Sequence, residues 1–343
     1  MPVARYVPSA RGKVESGKRK VESFGARKCA VEEIAKVKRS LSSLLPLGNR
    51  EGDRVSGGGL PRSLFTLLMR ATVWNGFIRS TQQTKSNLIM YNNIFDSHAH
   101  YTDKAFNDDR ENMLGSLRES GICGVINCGA DLKSSEESLK LAEKYDYFYF
   151  ACGVHPEEVE NLPDNYIEIL KAMAKHEKCV AIGEIGLDYY WRQDTKEKQK
   201  EVFENQILLA KELDLPIIVH DREAHGDTLE ILKKHKPKGV LHCFSGSVET
   251  AKEVLKLGMY IGFGGALTFK NARKAVEVAE MLPLDRLLLE TDCPYMAPVP
   301  MRGKRNDSSL IPYIAEKMAE IKNTDPQSVL DIATKNTKEL FNI

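Results

Sequence analysis

From about residue 93 the chain repeats one alternation eight times: a short apolar run, then a helix-like stretch. The runs are "NIFDSHAH", "GVINCGA", "YFYFACGVHP", "CVAIGEIGLD", "LPIIVHD", "GVLHCFSG", "MYIGFGGAL" and "RLLLETDCP". Between them, "DTKEKQKEVFENQILLAKELD" sets Val202, Phe203, Ile207, Ala210 and Leu213 along one helical face and charge elsewhere. "DDRENMLGSLRESG" and "SVETAKEVLKLG" run out at Gly121 and Gly258, which read as helix stops. Eight strands alternating with helices predict an α/β fold, a (β/α)8 TIM barrel over residues 93–343. The main rival is a doubly wound open sheet. The barrel is preferred because polar residues recur at most strand ends, as a ring of loops around one mouth requires.

The first part of the chain has another character. Residues 1–93 hold 17 Lys and Arg against 6 Asp and Glu, while the remainder holds 32 against 42. A formal net charge of +1 therefore hides a basic tail on an acidic body. "ARGKVESGKRKVESFGARK" lacks apolar periodicity, "AVEEIAKVKRSLSSLL" can form a short helix stopped by Pro46 and Gly48, and "REGDRVSGGGLPRS" reads as a linker. Residues 1–92 are thus expected to be a basic, low-order, disordered N-terminal extension. It is a solvated tail, a targeting segment, a basic arm for nucleic acid, or a leader ahead of translation from Met90.

Seven cysteines, an odd number without a CxxC pair, sit mostly beside apolar runs. That suits small buried residues in a reducing compartment rather than a disulfide framework. "SLFTLLMRATVWNGFI" is broken by Arg70 and Asn75 and is too short to span a membrane. The expectation is a soluble cytoplasmic protein, a monomer or weak oligomer, with no membrane partner.

The chemistry gathers at the strand ends. In "FDSHAH", His98 and His100 point one way if the stretch is a strand; taken alone the pair favours two polar rim residues over metal ligands. The third run ends in His155, the fourth carries Glu184, the fifth His220, the sixth His242 and the eighth Asp292. The last four lie in apolar text, where a charged or imidazole group needs a partner. Four histidines (98, 100, 220, 242) and the carboxylates Glu184 and Asp292 would find partners by sharing divalent ions. Six ligands exceed what one tetrahedral zinc takes and suit two ions, with Glu184 as the natural bridge. Imidazole-rich ligation favours transition metals such as zinc or manganese over magnesium. Two such ions can hold a bridging hydroxide and stabilise in-line displacement at phosphorus.

Taken together, "FDSHAH", "GVHP", "GEIGLDYY", "PIIVHDREA", "LHCFSGS", "YIGFGGALTFKNA" and "LLLETDCPYMAPVPMRGKRN" resemble the TatD-type metal-dependent deoxyribonucleases, barrels within the wider amidohydrolase group. The resemblance covers about residues 93–343 and leaves 1–90 untouched. It implies two divalent ions per subunit (Mg, Mn or Zn), one held by His98, His100, Glu184 and Asp292, the other by Glu184, His220 and His242. It implies a hydrolase of ester bonds, a deoxyribonuclease of 3′–5′ exonuclease type, with DNA as substrate and RNA as an alternative. The bridging hydroxide would attack phosphorus, with Asp292 and Glu184 as the catalytic carboxylates and Asp292 accepting or relaying the proton.

Phosphate contacts are expected from Arg222, from the Gly264-Gly265 turn before Thr268 and Lys270, and from the loop Arg302 to Asn306. His155 reads either as a substrate-facing helper or as a rim histidine. Asp188 reads as orienting a ligand histidine or as capping its loop. Asp96, two residues before His98, shares its face if the alternation is regular and reads either as supporting a ligand or as a structural hydrogen-bond partner. His176 and His235 read as surface residues, and Cys243 and Cys293 as turned away from the site. Two other classes compete: hydrolysis of another ester or amide, as in the amidohydrolase group, and a non-catalytic nucleic-acid-binding protein acting through its basic tail.

Overall fold

The computed structural model describes residues 91–343. The expected extension, with its short helix and linker, lies outside the described residues except for Tyr91 and Asn92. Eight strands form one all-parallel sheet in sequential order: β1 Ile94–Ala99, β2 Ile122–Cys128, β3 Phe148–Cys152, β4 Cys179–Asp188, β5 Ile217–Arg222, β6 Gly239–Leu241, β7 Tyr260–Phe263 and β8 Leu287–Leu289. Each falls within or across one of the eight apolar runs. The α-helices among the described residues are α1 Arg110–Ser116, α2 Leu132–Lys144, α3 Tyr166–Met173, α4 Lys196–Glu212, α5 His225–His235, α6 Val248–Lys256, α7 Arg273–Met281, α8 Ile311–Lys322 and α9 Pro326–Phe341. None is long and apolar enough to cross a membrane. The α/β barrel reading stands.

Local chemistry sets the helix ends. Asp131 and Ser134 cap α2 reciprocally, Ser247 caps α6 through Thr250 N, and Asp325 caps α9 through Ser328 N. Gly121 and Gly258 close their helical segments at φ 83° and 78°, the left-handed region that glycine enters freely. On α4, Val202, Phe203, Ile207 and Ala210 are buried as the periodicity predicts.

Alternation along the strands makes two apolar layers. One parity packs outward against the helices: Ile217 and Val219 on β5, Leu287 and Leu289 on β8. The other lines the barrel interior: Ile126 and Cys128 on β2, Ile218, Val240 and Leu288. Phe341 of α9 joins that interior cluster, with Leu340 and Ile343 packed beside it. α9 is fastened there by Asn336 Nδ2, which donates to Leu284 O and Leu287 O at 2.7 and 2.9 Å.

The seam between the first strand and the last closes by different means. Ser97 Oγ donates to Leu289 O (3.0 Å), Asp292 N to His98 O (2.9 Å) and His100 N to Cys293 O (2.9 Å), and Ala99 bridges Cys293. Asp96 stitches the same edge. Its carboxylate accepts from Thr291 N (3.0 Å), Thr291 Oγ1 (2.6 Å) and Ser308 Oγ (2.6 Å). Burial, only partly offset by these donors, pushes its carboxyl up to about 6. The register of β1 against β2 slips between Asp96 and Ala99, so Asp96 does not share the face of His98 as regular alternation predicts. It is a structural acceptor at the seam.

Candidate metal centre

Continuing the inward parity toward the carboxyl ends of the strands gives the polar residues in order: His220 two after Ile218, His242 two after Val240, and Glu290 two after Leu288. Bulges bring His98 and Glu184 to the same mouth; the register of β4 against β5 slips between Ile182 and Ile185. Asp292 follows β8 with φ 54°, a left-handed backbone that a non-glycine residue adopts at some cost and that turns its carboxylate to the mouth.

Glu184 sits at the middle, and its two oxygens face different neighbours. Oε2 lies 3.3 Å from His98 Nε2 and 3.2 Å from His100 Nε2. Oε1 lies 2.8 Å from His220 Nδ1, 2.7 Å from His242 Nε2 and 3.6 Å from His155 Nε2. Asp292 Oδ1 closes the first side at 3.3 Å from His100 Nε2 and 3.7 Å from His98 Nε2. The six residues expected as ligands come together around Glu184, whose Oε2 faces His98 and His100 and whose Oε1 faces His220 and His242. Among the described residues, His98, His100 and Glu184 draw close enough to hold one ion, as do His98, His242 and Asp292, and His155, Glu184 and His220.

The outer nitrogens fix which lone pairs point inward. His100 Nδ1 faces Cys128 O at 3.1 Å and must donate to it, so Nε2 is the nitrogen that can offer a lone pair to an ion once its proton is displaced. His220 Nε2 faces Asp188 Oδ2 at 3.0 Å, so Nδ1 does the same. His98 and His100 place their Nε2 atoms 2.9 Å apart. Converging imidazole nitrogens and carboxylate oxygens with no lysine or arginine between them fit a shared cation. His155 differs. Its Nδ1 accepts from Glu157 N (3.3 Å), which leaves the proton of the neutral ring on Nε2, facing Glu184.

Burial and neighbouring charges push the histidines of the centre in opposite directions. Burial lowers His100 and His220, but hydrogen bonds to Asp292 and Glu184 for the one, and to Asp188 and Glu184 for the other, outweigh it and hold each up to about 10. Burial, then His242, depresses His98 to about 4; burial, then His220, depresses His155 to about 3. Burial would raise Glu184, yet the surrounding histidines, His242 first, hold it well below the usual range.

Two residues at the site escaped sequence reasoning. Glu290 is fully buried; Oε1 accepts from Cys243 N and lies 3.9 Å from His242 Nδ1, while Oε2 has no hydrogen-bond partner among the described residues. Burial pushes this carboxyl up to about 8. A Cβ on Gly262 would collide with it, so the glycine makes room. The signal was present in "LLLETD", where two carboxylates two residues apart share a parity. Cys128, whose Sγ rests 3.4 Å from His98 Nδ1, follows Ile126 by the same rule.

Other expectations are corrected. Asn306 is fully buried, and its amide is spent inside the protein: Nδ2 donates to Thr291 O (2.8 Å) and Tyr295 O (2.7 Å), and Oδ1 accepts from Asp307 N (3.0 Å). It shapes the loop after β8 and has no donor left for substrate. The Gly264-Gly265 turn is pressed beneath that loop, where a Cβ on Gly265 would collide with Met296 O; Thr268 Oγ1 is occupied by Gly265 O and Val299 N. Cys243 and Cys293 lie beyond the ends of β6 and β8, so strand alternation does not govern them. His176 and His235 are half-buried rather than exposed. Arg302 is exposed over the Phe269 ring at 4.3 Å, and Arg222 ends β5 over Tyr190 at 4.2 Å. Asp188 takes both roles considered for it: Oδ2 meets His220, and Oδ1 accepts from Tyr190 N and Trp191 N at 2.9 and 2.8 Å.

A parallel eight-stranded barrel with histidines and carboxylates converging at its carboxyl-end mouth defines a class, the barrel hydrolases that work with divalent metal ions. The sequence profile of the family described as TatD related DNase matches residues 95–342. The chain belongs to this family and is a metal-dependent hydrolase. It is 43% identical over 253 residues to the Bacillus subtilis protein named uncharacterized metal-dependent hydrolase YabD, covering 73% of this chain and 99% of that one. It is 34% identical over 261 residues to the Erwinia tasmaniensis protein named 3′-5′ ssDNA/RNA exonuclease TatD, covering 73% and 100%. The crystal structure of the Escherichia coli TatD homologue YJJV superposes with a TM-score of 0.69 at 33% identity, over 73% of this chain and 98% of that one.

Proposed function

We propose that the protein is a phosphodiesterase that shortens single-stranded DNA from its 3′ end, with RNA as a further substrate. The observation that carries this reading is Glu184, whose two oxygens each face a separate group of histidines. That arrangement suits two ions rather than one. His98, His100 and Asp292 would hold one ion with Glu184 Oε2; His220 and His242 would hold the other with Glu184 Oε1. When bound, the pair supplies charge to stabilise the phosphorane-like transition state and activates a water as nucleophile. The name of the Erwinia relative supports a nucleic-acid substrate and the direction of digestion.

The chain's own groups divide the remaining work. Asp292 would accept the proton released by the attacking water. Its carboxyl would be raised by burial but is held below its ordinary value by the hydrogen bond from His100 and by the nearby histidines, so it is ionised at neutral pH. His155 presents Nε2–H beside Glu184 and can donate to a non-bridging phosphate oxygen or to the leaving oxygen. Arg222 at the end of β5 and Arg302 on the loop after β8 supply guanidinium groups for flanking phosphates. Asp188 and Cys128 O hold His220 and His100 in the tautomers described above.

The test uses a 5′-labelled single strand with magnesium or manganese, and the His98→Ala/Asp292→Asn variant as control. Stepwise shortening that needs the metal and is absent in the variant supports the reading. Hydrolysis of carbonyl esters with the strand left intact would move the protein to the carbonyl branch of the barrel hydrolases.

A further inference from the structure

The loop after β4 exposes two aromatic rings side by side. Tyr190 and Trp191 are 53% and 59% exposed, with ring centroids 4.7 Å apart and planes at 87°. Large rings left in water at the rim of a polar site mark a binding surface more often than a packing residue. Their backbone is fixed, since Asp188 gathers both N–H groups on the same carboxylate that orients His220. Arg192 also ties this loop to the one after β3, donating to Glu157 O at 3.3 Å. The platform is therefore held in register with the candidate metal centre.

Arg222 completes it. Its guanidinium carbon lies 4.2 Å from the Tyr190 ring centre and 5.4 Å from that of Trp191, and it has no carboxylate partner among the described residues. A nucleotide offers two features to recognise, a flat base and a charged phosphate. An exposed ring with an adjacent guanidinium answers both.

We propose that Tyr190, Trp191 and Arg222 form a stacking subsite for an unpaired nucleobase of a single-stranded nucleic acid whose terminal phosphodiester lies at the metal centre. This rests on the phosphodiesterase reading above. Every base has a π-face, so the subsite selects single strands over duplexes without selecting sequence.

The experiment compares wild-type protein with Trp191→Ala on an oligothymidylate and on the same strand carrying abasic sites at its 3′ end. Trp191→Ala is expected to raise KM for the intact strand about 10-fold, with kcat within about twofold. It should leave the abasic strand nearly unaffected. An equal effect on both strands, or none on either, overturns the subsite. A second readout does not depend on turnover. The chain has two tryptophans, and Trp191→Phe isolates the emission of Trp191 from that of Trp74. Binding of a strand with slowly hydrolysed 3′ phosphorothioates should quench that emission. Quenching without cleavage would sink the phosphodiesterase reading and keep the subsite. Cleavage without quenching or a KM shift would do the reverse, and absence of both would remove the two together.

Discussion

Asp188 meets His220 at 3.0 Å from Oδ2 to Nε2, and this contact decides which ring nitrogen faces Glu184. An acceptor against Nε2 keeps the proton there and leaves Nδ1 free as a lone pair. An amide at position 188 would present a donor instead and turn the tautomer around. Asp188→Asn is therefore expected to weaken metal binding on the His220 side by about 10–100-fold, a loss that metal titration followed by calorimetry would measure. Unchanged affinity would show that the carboxylate serves the aromatic loop alone.

Glu290 stands behind His242 with one oxygen unpartnered among the described residues. Exchange for glutamine keeps the volume but removes the acid. If Glu290 positions His242, Glu290→Gln lowers affinity on that side by about 10-fold or more while the fold persists. If it is only a buried acid that the core tolerates, the variant melts at a higher temperature and binds metal as before.

Stripped of ions, the centre should make stability depend on pH from both directions. His100 and His220 are raised from 6.5 to about 10, so the stabilisation they contribute is complete below 6.5 and lost as pH climbs through about 10. His98 and His155 are depressed to about 4 and about 3. Their contribution is present above 6.5 and lost as pH falls toward those values. The Tm of chelator-treated protein should thus fall toward pH 10 and toward pH 4. Divalent ions must displace the protons on His100 and His220, so affinity should rise with pH and binding should release protons. Calorimetry in buffers of different ionisation enthalpy counts them, and uptake at pH 8 without release would contradict this account.

Asn306 separates a structural from a substrate role. Asn306→Ala leaves Thr291 O and Tyr295 O without their donor, at about 1–3 kcal/mol for each buried group. A lower Tm with KM little changed is the expected result. A raised KM at constant Tm would return the residue to the substrate surface.

The barrel was legible because a parallel strand buried on both faces reads as continuous apolar text, as in "CVAIGEIGLD" and "LPIIVHD". His220 and His242 were legible for the same reason, as polar residues ending such runs. Glu290 was not, because "LLLETD" offers two carboxylates and only the position of the strand end separates the inner one from Asp292. Asp96 was legible as a structural hydrogen-bond partner, but its face was not, because of a slipped register that no composition signals. Asn306 lay in a basic loop that looked fit for phosphate; its burial depends on contacts with Thr291 and Tyr295 that only the folded chain brings together.

The seam carries a consequence for biosynthesis. His98 and Asp292 share a backbone hydrogen bond across it, so one side of the centre is built from the first strand of the barrel and the turn after its last. Glu184, His220 and His242 come from consecutive strands β4, β5 and β6 and its end, and are close in sequence. A chain emerging from the ribosome can gather that second group early, but must wait for nearly its whole length before His98 and His100 meet Asp292. Contacts between distant ends are the slowest to close. Full occupancy by metal is thereby tied to completed synthesis, and an unfinished chain lacks the side of the centre that His98, His100 and Asp292 build.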